Sequence, residues 1–389
     1  MDDFVINTTR TGIQQDPAVT AFGNESYFVV WCDTDSATIK GRIYMANGNP
    51  ASGEFDVNEP DPAAPNTLRE RPAVAATPVN GAFVAWVEHP ASLPGPRPHV
   101  AARRFGTDGR PLGGVIRLST ADIDPDVSPA LMHTLGGGFL VVWAGAAPDR
   151  RIIARRYGFT GSPEGEELLL STTEGFHTGP FGARLDGNFA IGWRTDPHLV
   201  TGGDITLRVL TFDGAPVTGE LTPDLPGYAG GGKAITALAT EQFVLAHTSL
   251  HPDGSRSAVE THVFSKDGDV VEVGVPACSG PSISCGDPAL APLTENRFLT
   301  AWVQTDASSG TGHTVMAKAV STTLGSLNEP VRLSGSAPGH RTDVAAATLV
   351  NRPDPTAFVA WTDLGGAGED ATAAVRGRVV RIEGEGTLV

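Results

Sequence analysis

An all-β ring of seven repeated four-stranded antiparallel units, a seven-bladed β-propeller closed by its own N-terminal strand, is the fold this sequence predicts. Three observations predict it. All six tryptophans close short apolar runs of one kind: Phe28 to Trp31, Phe83 to Trp86, Phe139 to Trp143, Phe189 to Trp193, Phe298 to Trp302 and Phe358 to Trp361. The steps between them are 55, 57, 50, 109 and 59 residues, and the middle of the double step holds a seventh copy, Phe243-Val244-Leu245-Ala246-His247. A period of about 50 residues marks one supersecondary unit that buries its apolar face only by stacking on its neighbours. Third, Phe4-Val5-Ile6-Asn7 matches the end of another unit, Phe55-Asp56-Val57-Asn58, yet no unit precedes it.

The second repeat shows the pattern of elements in order. Pro72 to Ala76 is a strand of small residues, Asn80-Gly81 is a tight turn, and Phe83 to Trp86 is the returning strand. Asn-Gly between two apolar runs is a strong hairpin signal. A longer polar loop leads to a third strand, Val100 to Phe105, then a turn at Thr107 to Arg110 and a fourth strand, Ile116 to Ser119. Four antiparallel strands make the blade of a propeller. The same order recurs, so one domain spans residues 1–389, with blades at about 8–58, 59–119, 120–171, 172–222, 223–273, 274–333 and 334–389 plus 1–7. Small residues place the first strand innermost. The basic residue of each third strand, as at Arg42, Arg155, Arg208, Lys318 and Arg378, alternates with apolar neighbours and is expected in solvent. Phe4 to Asn7 is expected to complete the last blade and remove its open edge.

The recurring Phe-x-Val-Asn, Pro-x-Val-Ala, Gly-x-Phe-Val-Val-x-Trp and Ala-Arg-x-Phe segments resemble the repeats of bacterial propeller domains in repeats-in-toxin-type proteins. They are also similar to the propeller of cyanobacterial enzymes that alkylate aromatic rings with alkyl halides. The resemblance covers all seven repeats and consists of scaffold residues, so it implies the fold more than the activity. Calcium-binding glycine-aspartate nonapeptides, which accompany such propellers, do not occur.

A net charge of −16 and a pI near 5.0 argue against nucleic acid, which needs a basic stripe. No run approaches the length of a membrane span, and Met1-Asp2-Asp3-Phe4 starts directly in repeat sequence, so a cytoplasmic monomer without membrane contact is expected. Cys278 and Cys285 lie close enough to bridge, although a reducing compartment favours free thiols. No cofactor and no metal can be assigned. Gly227 with Gly232-Lys233 has the glycine and lysine spacing of a phosphate loop, but Ala234 replaces the hydroxyl residue and a strand follows instead of a helix.

Strand direction puts the loops after each Trp and before each first strand on one face. These long, polar, variable connections are where a rigid scaffold carries function. They hold Asp33 and Asp35, Glu88 and His89, Asp149 and Arg150, Arg194, Asp196 and His198, His247 and His251, and Asp363. Before the first strands stand Asp16, Arg69 to Arg71, Asp124 and Asp126, His177, Lys233, Asp287, and His340, Arg341 and Asp343. Solvated loops collect such residues without any function. Blade five breaks the repeat, with His247 in the Trp position and Gly230-Gly231-Gly232-Lys233 in place of the proline-led start. Breaks in a repeat concentrate at functional or strained sites, although decay of one copy gives the same appearance.

The expected catalytic group is therefore His177, Asp196, His198, His247 and His251, meeting at the axis between blades four and five. Glu88, His89, Arg71, His340 and Arg341 across the channel form the expected substrate-binding group. Such a group can act as acid and base or hold a divalent metal. The function expected is a small-molecule-transforming enzyme, in natural-product biosynthesis, with its site at the channel mouth on the Trp side. The alternative is a non-catalytic, lectin-like binder; the unequal loops favour one site over seven equivalent pockets.

Overall fold

The computed structural model describes the chain apart from residues 1, 60–65, 79–80, 92–96, 149, 197–202, 226–227, 240, 252–256, 281, 295, 307–311, 324, 337–338, 366–372 and 385. Seven separate antiparallel sheets follow one another along the chain, each led by an inner strand: Gln14–Phe22, Thr67–Thr77, Ala130–His133, Phe176–Arg184, Tyr228–Ala237, Ile283–Pro292 and Arg341–Leu349. Blade one continues with Ser26–Asp33, Thr38–Met45 and Phe55–Asp56 in simple meander order. Blade four is the exception: three strands pair continuously, and its outer edge is reduced to the isolated bridges Leu207 to Leu221 and Leu210 to Pro216. No helix occurs among the described residues, so none is long and apolar enough to cross a membrane.

The ring closes as the repeat predicts. Phe4 and Val5 pair with Gly377 and Arg376 on the outer edge of blade seven. Ile6 is fully buried, and Asn7 Oδ1 accepts the Val375 N–H at 2.9 Å. The same cap ends other blades, where Asn58, Ser119, Ser171 and Ser334 accept from Ile39, Val100, Ile152 and Val315. A short polar side chain satisfies one backbone donor just where the ladder stops.

Each Trp is 0–1% exposed and packs across a seam onto the preceding blade. Trp86 lies with Phe28 and Val30 of blade one, Trp193 with Leu140 and Val142 of blade three, and Trp361 with Leu299 and Ala301 of blade six. These rings carry much of the apolar area that joins one blade to the next.

The basic residue of the third strand is not in solvent. Arg42, Arg103, Arg208, Lys318 and Arg378 cross the seam and donate to carbonyl oxygens of the preceding blade's outer strand, namely Ile6, Val57, Leu170, Pro276 and Arg332, at 2.6–3.2 Å. Their stems cover the apolar seam while their charged ends satisfy orphaned carbonyls. Arg155 bonds within its own blade, to the Gly165 carbonyl, as Arg42, Arg103 and Lys318 also do to Ser52, Gly113 and Ser326. Cys278 and Cys285, expected as free thiols, are joined in a disulfide with a Cα–Cα distance of 6.2 Å.

Candidate active site at the channel mouth

The inner strands leave regular pairing shortly after they start. Register shifts occur between Gln15 and Ala18, Glu70 and Ala73, Thr178 and Phe181, Ala229 and Lys233, Gly286 and Ala289, and Thr342 and Ala345. Within these bulges Asp16, Arg71, Gly179, Asp287 and Asp343 take left-handed backbone, with φ between 47° and 58°. Glycine fits that conformation freely, aspartate tolerates it, and arginine adopts it at a cost of about 1–2 kcal/mol. Blades six, seven, one and two, consecutive around the ring, nevertheless all place a charged residue there.

These charges interact across the blades. Burial pushes the Asp16 carboxyl up to about 6, with Asp343 adding to it and Arg71 opposing. Burial also raises Asp287, again helped by Asp343, while His313 and His340 and the Asp343 N–H oppose. Thr362 Oγ1 of blade seven accepts the Asp16 N–H at 3.2 Å, which fixes the bulge of blade one against its neighbour. Arg71 donates to the Pro125 carbonyl at 3.1 Å and lies 3.6 Å from Asp126. Opposite, Lys233 occupies the place of the proline that starts most inner strands. Its Nζ lies 5.9 Å from the Phe181 ring centre, and burial, with the Arg194 charge adding, lowers it to about 8. A carboxyl and an amine that both titrate near neutrality therefore stand at one mouth.

The residues expected to be catalytic are placed differently. His177 is fully buried; it donates from Nε2 to the Thr173 carbonyl, which can only accept, and its Nδ1 lies 3.1 Å from the Thr195 hydroxyl. Burial lowers its pKa, so it is a neutral core histidine seated against Trp193. Asp196 is buried beside Arg194 at 3.3 Å, and His251 is exposed. His198 lies outside the described residues. His247 meets its own blade, with its Nε2 2.8 Å from His262 Nε2 and Glu260 close by, instead of His177. A meeting of His177, Asp196 and His247 at the axis therefore does not form.

The expected binding group divides into pairs. Glu88 accepts from Trp86 at 2.9 Å and Arg69 at 3.1 Å and lies 3.4 Å from His99. Its burial is outweighed by these partners, and its carboxyl is held low. His89 lies 3.3 Å from Glu70. Arg341 is buried and bonded to Asp363 and the His313 carbonyl, while the exposed His340 ring lies 4.1 Å from that of His313. Arg71 belongs to the bulge ring, and His340 acts on Asp287 there.

The far half of the channel holds a cavity of about 350 Å³ lined by the hairpin ends of all seven inner strands. Its walls are mostly Ala, Val and Thr, with His133 and Arg184 as the titratable groups. Burial, then the Arg184 charge, lowers His133 to about 4. The axis is thus ringed by charge at the Trp end and lined mostly by small side chains at the hairpin end.

No family model matches the chain, and no curated protein matches it. The likeness is one of fold. Over 97% of its length the chain is similar to the BP39L lectin from Burkholderia pseudomallei, covering 98% of that protein, with TM-score 0.64 and 14% identity. It is similar over 96% of its length to a polysaccharide lyase of family PL25, an ulvan lyase bound to -[GlcA(1-4)Rha3S]-, covering 94% of it, with TM-score 0.60 and 9% identity. An α-L-arabinanase from Penicillium chrysogenum complexed with arabinobiose matches over 97% of this chain and 98% of its own, with TM-score 0.52 and 10% identity.

Proposed function

We propose that this chain is a carbohydrate-cleaving enzyme whose active centre is the bulge ring at the Trp-side mouth of the channel. The observation that carries it is the run of four charged residues, Asp287, Asp343, Asp16 and Arg71, on left-handed backbone in consecutive blades. Aspartate tolerates that backbone, but Arg71 holds it under strain, and strain held by surrounding structure is common at active centres. Asp16 is the proton donor: with its pKa near 6 it still carries a proton in mildly acidic solution. Asp343 supplies the neighbouring negative charge, and Arg71 and Lys233 hold hydroxyl or carboxylate groups of the substrate. A lyase and an arabinanase on the same fold support sugar chemistry at such a mouth. Aromatic alkylation in natural-product assembly, which the repeat resemblance implies, has no residue here that speaks for it over sugar chemistry.

The test is product release from a panel of neutral and uronate-containing polysaccharides. Asp16→Asn is expected to lower turnover by roughly 10²–10⁴-fold with the fold intact. Full activity in that variant overturns the assignment. Saturable binding with no turnover on any member of the panel decides for the second reading, a lectin-like binder, which the fold of the BP39L lectin supports.

A further inference from the structure

Blade five changes its repeat on one face all at once. His247 takes the place of Trp, and its cross-strand partner is Glu260. His262 stands in register with Leu245, the position that is Arg or Lys in the other six blades, as Arg42 stands with Val29. Decay of a repeat scatters substitutions over both faces. Here two imidazoles and a carboxylate converge in the seam toward blade four, and one ligand atom from each lies within 4.8 Å of the others.

We propose that His247 Nε2, His262 Nε2 and the Glu260 carboxylate bind a divalent transition-metal ion of the zinc class. Two imidazole nitrogens with one carboxylate suit zinc or cobalt and disfavour calcium and magnesium, which take oxygen. Both rings are buried, and His247 Nδ1 and Glu260 Oε2 have no hydrogen-bond partner. Without an ion, the Gly274 N–H donates to His262 Nδ1 at 3.1 Å, so the His262 proton sits on Nε2 and bridges the 2.8 Å to His247. An ion with bonds of about 2.0–2.1 Å to each nitrogen needs them about 3.3 Å apart, an opening of about half an ångström. On binding, the bridging proton passes by way of solvent to the other nitrogen of the same ring, with no net proton release. The His262 ring then carries its proton on Nδ1, and Gly274 turns its amide away. Gly274 has a φ of 72° in a strand with three register shifts, so its backbone can give. Lys233, the cross-strand neighbour of His247 on the inner strand, reaches toward Gly179 of blade four; an added Cβ there would lie 2.9 Å from its Nζ.

The test uses the full chain stripped with chelator and titrated with Co²⁺ or Zn²⁺ alone. One equivalent of Co²⁺ is expected to bind with the visible absorption of a four-coordinate ion, and Zn²⁺ to displace it and raise Tm. The double variant His247→Trp, His262→Arg rebuilds the ordinary blade and is expected to lose the uptake. Glu260→Gln keeps both rings and is expected to weaken binding by about 10-fold or more. No uptake by the wild type, or uptake unchanged in Glu260→Gln, overturns the proposal, and the single variant decides it should the double variant not fold.

Discussion

Arg42 Nη1 donates to the carbonyl oxygen of Ile6 at 2.9 Å, so a strand of the first blade grips the segment that completes the last. Tyr44 Oη donates to the same oxygen at 3.1 Å. The closing strand is therefore held from two blades, by pairing with Gly377 and Arg376 and by this grip from blade one.

Arg42→Met keeps most of the stem and removes the charged hydrogen bond. It is expected to cost about 1.5–3 kcal/mol, read from the shift in urea midpoint. An unchanged midpoint would show that Tyr44 alone suffices.

Deletion of residues 1–7 removes buried Ile6, the Asn7 cap and the Phe4 ring, which packs 5.6 Å from Tyr44 and 5.9 Å from Phe358. The expected loss is on the order of 3–5 kcal/mol, with association through the bared edge of blade seven. Light scattering and thermal melting together check it; a monomer with native Tm refutes the closure as a source of stability.

Trp86→Ala opens a cavity among Phe28, Val30 and Val84 and strips Glu88 of its indole partner. A cost of about 3–5 kcal/mol is expected. Binding of a small apolar ligand such as benzene in the variant would locate the void; wild-type stability would place the ring outside the core.

Asp16 makes stability depend on pH in a definite direction. Its carboxyl titrates near 4 in the unfolded chain and about 6 in the fold. Between these values the native state holds the proton that the unfolded state has lost, so stability falls as pH rises through this window and levels above it. Asp16→Asn removes that contribution, and the difference between the two stability profiles should slope from about pH 4 to 6. Parallel profiles would mean that Asp16 is not raised.

The blades were legible because their signals are local. Phe189 to Trp193 reads as a buried strand by itself, and Phe4 to Asn7 could be placed by comparing it with Phe55 to Asn58. What stayed hidden depends on neighbours. Arg208 alternates with apolar residues just as a solvated residue does, and only the Leu170 carbonyl of blade three draws it inward. Asp16, Asp287 and Asp343 read as members of polar loops, because a left-handed φ at aspartate leaves no mark in the sequence. The departure of His247 from the repeat was visible. Its true partner, His262, was not, since the pairing of second and third strands had to be known to two residues.

The closing contact also imposes a schedule. Asn7 is made 368 residues before its partner Val375. At a translation rate of about 5–20 residues per second the first strand waits tens of seconds while six blades stack into an open arc. During that interval the nascent arc presents raw edges at both ends, and contacts so distant in sequence are slow to form. Ring closure is thus expected as the last event of folding, and slowing the final blade should lengthen the lifetime of a species that chaperones can bind.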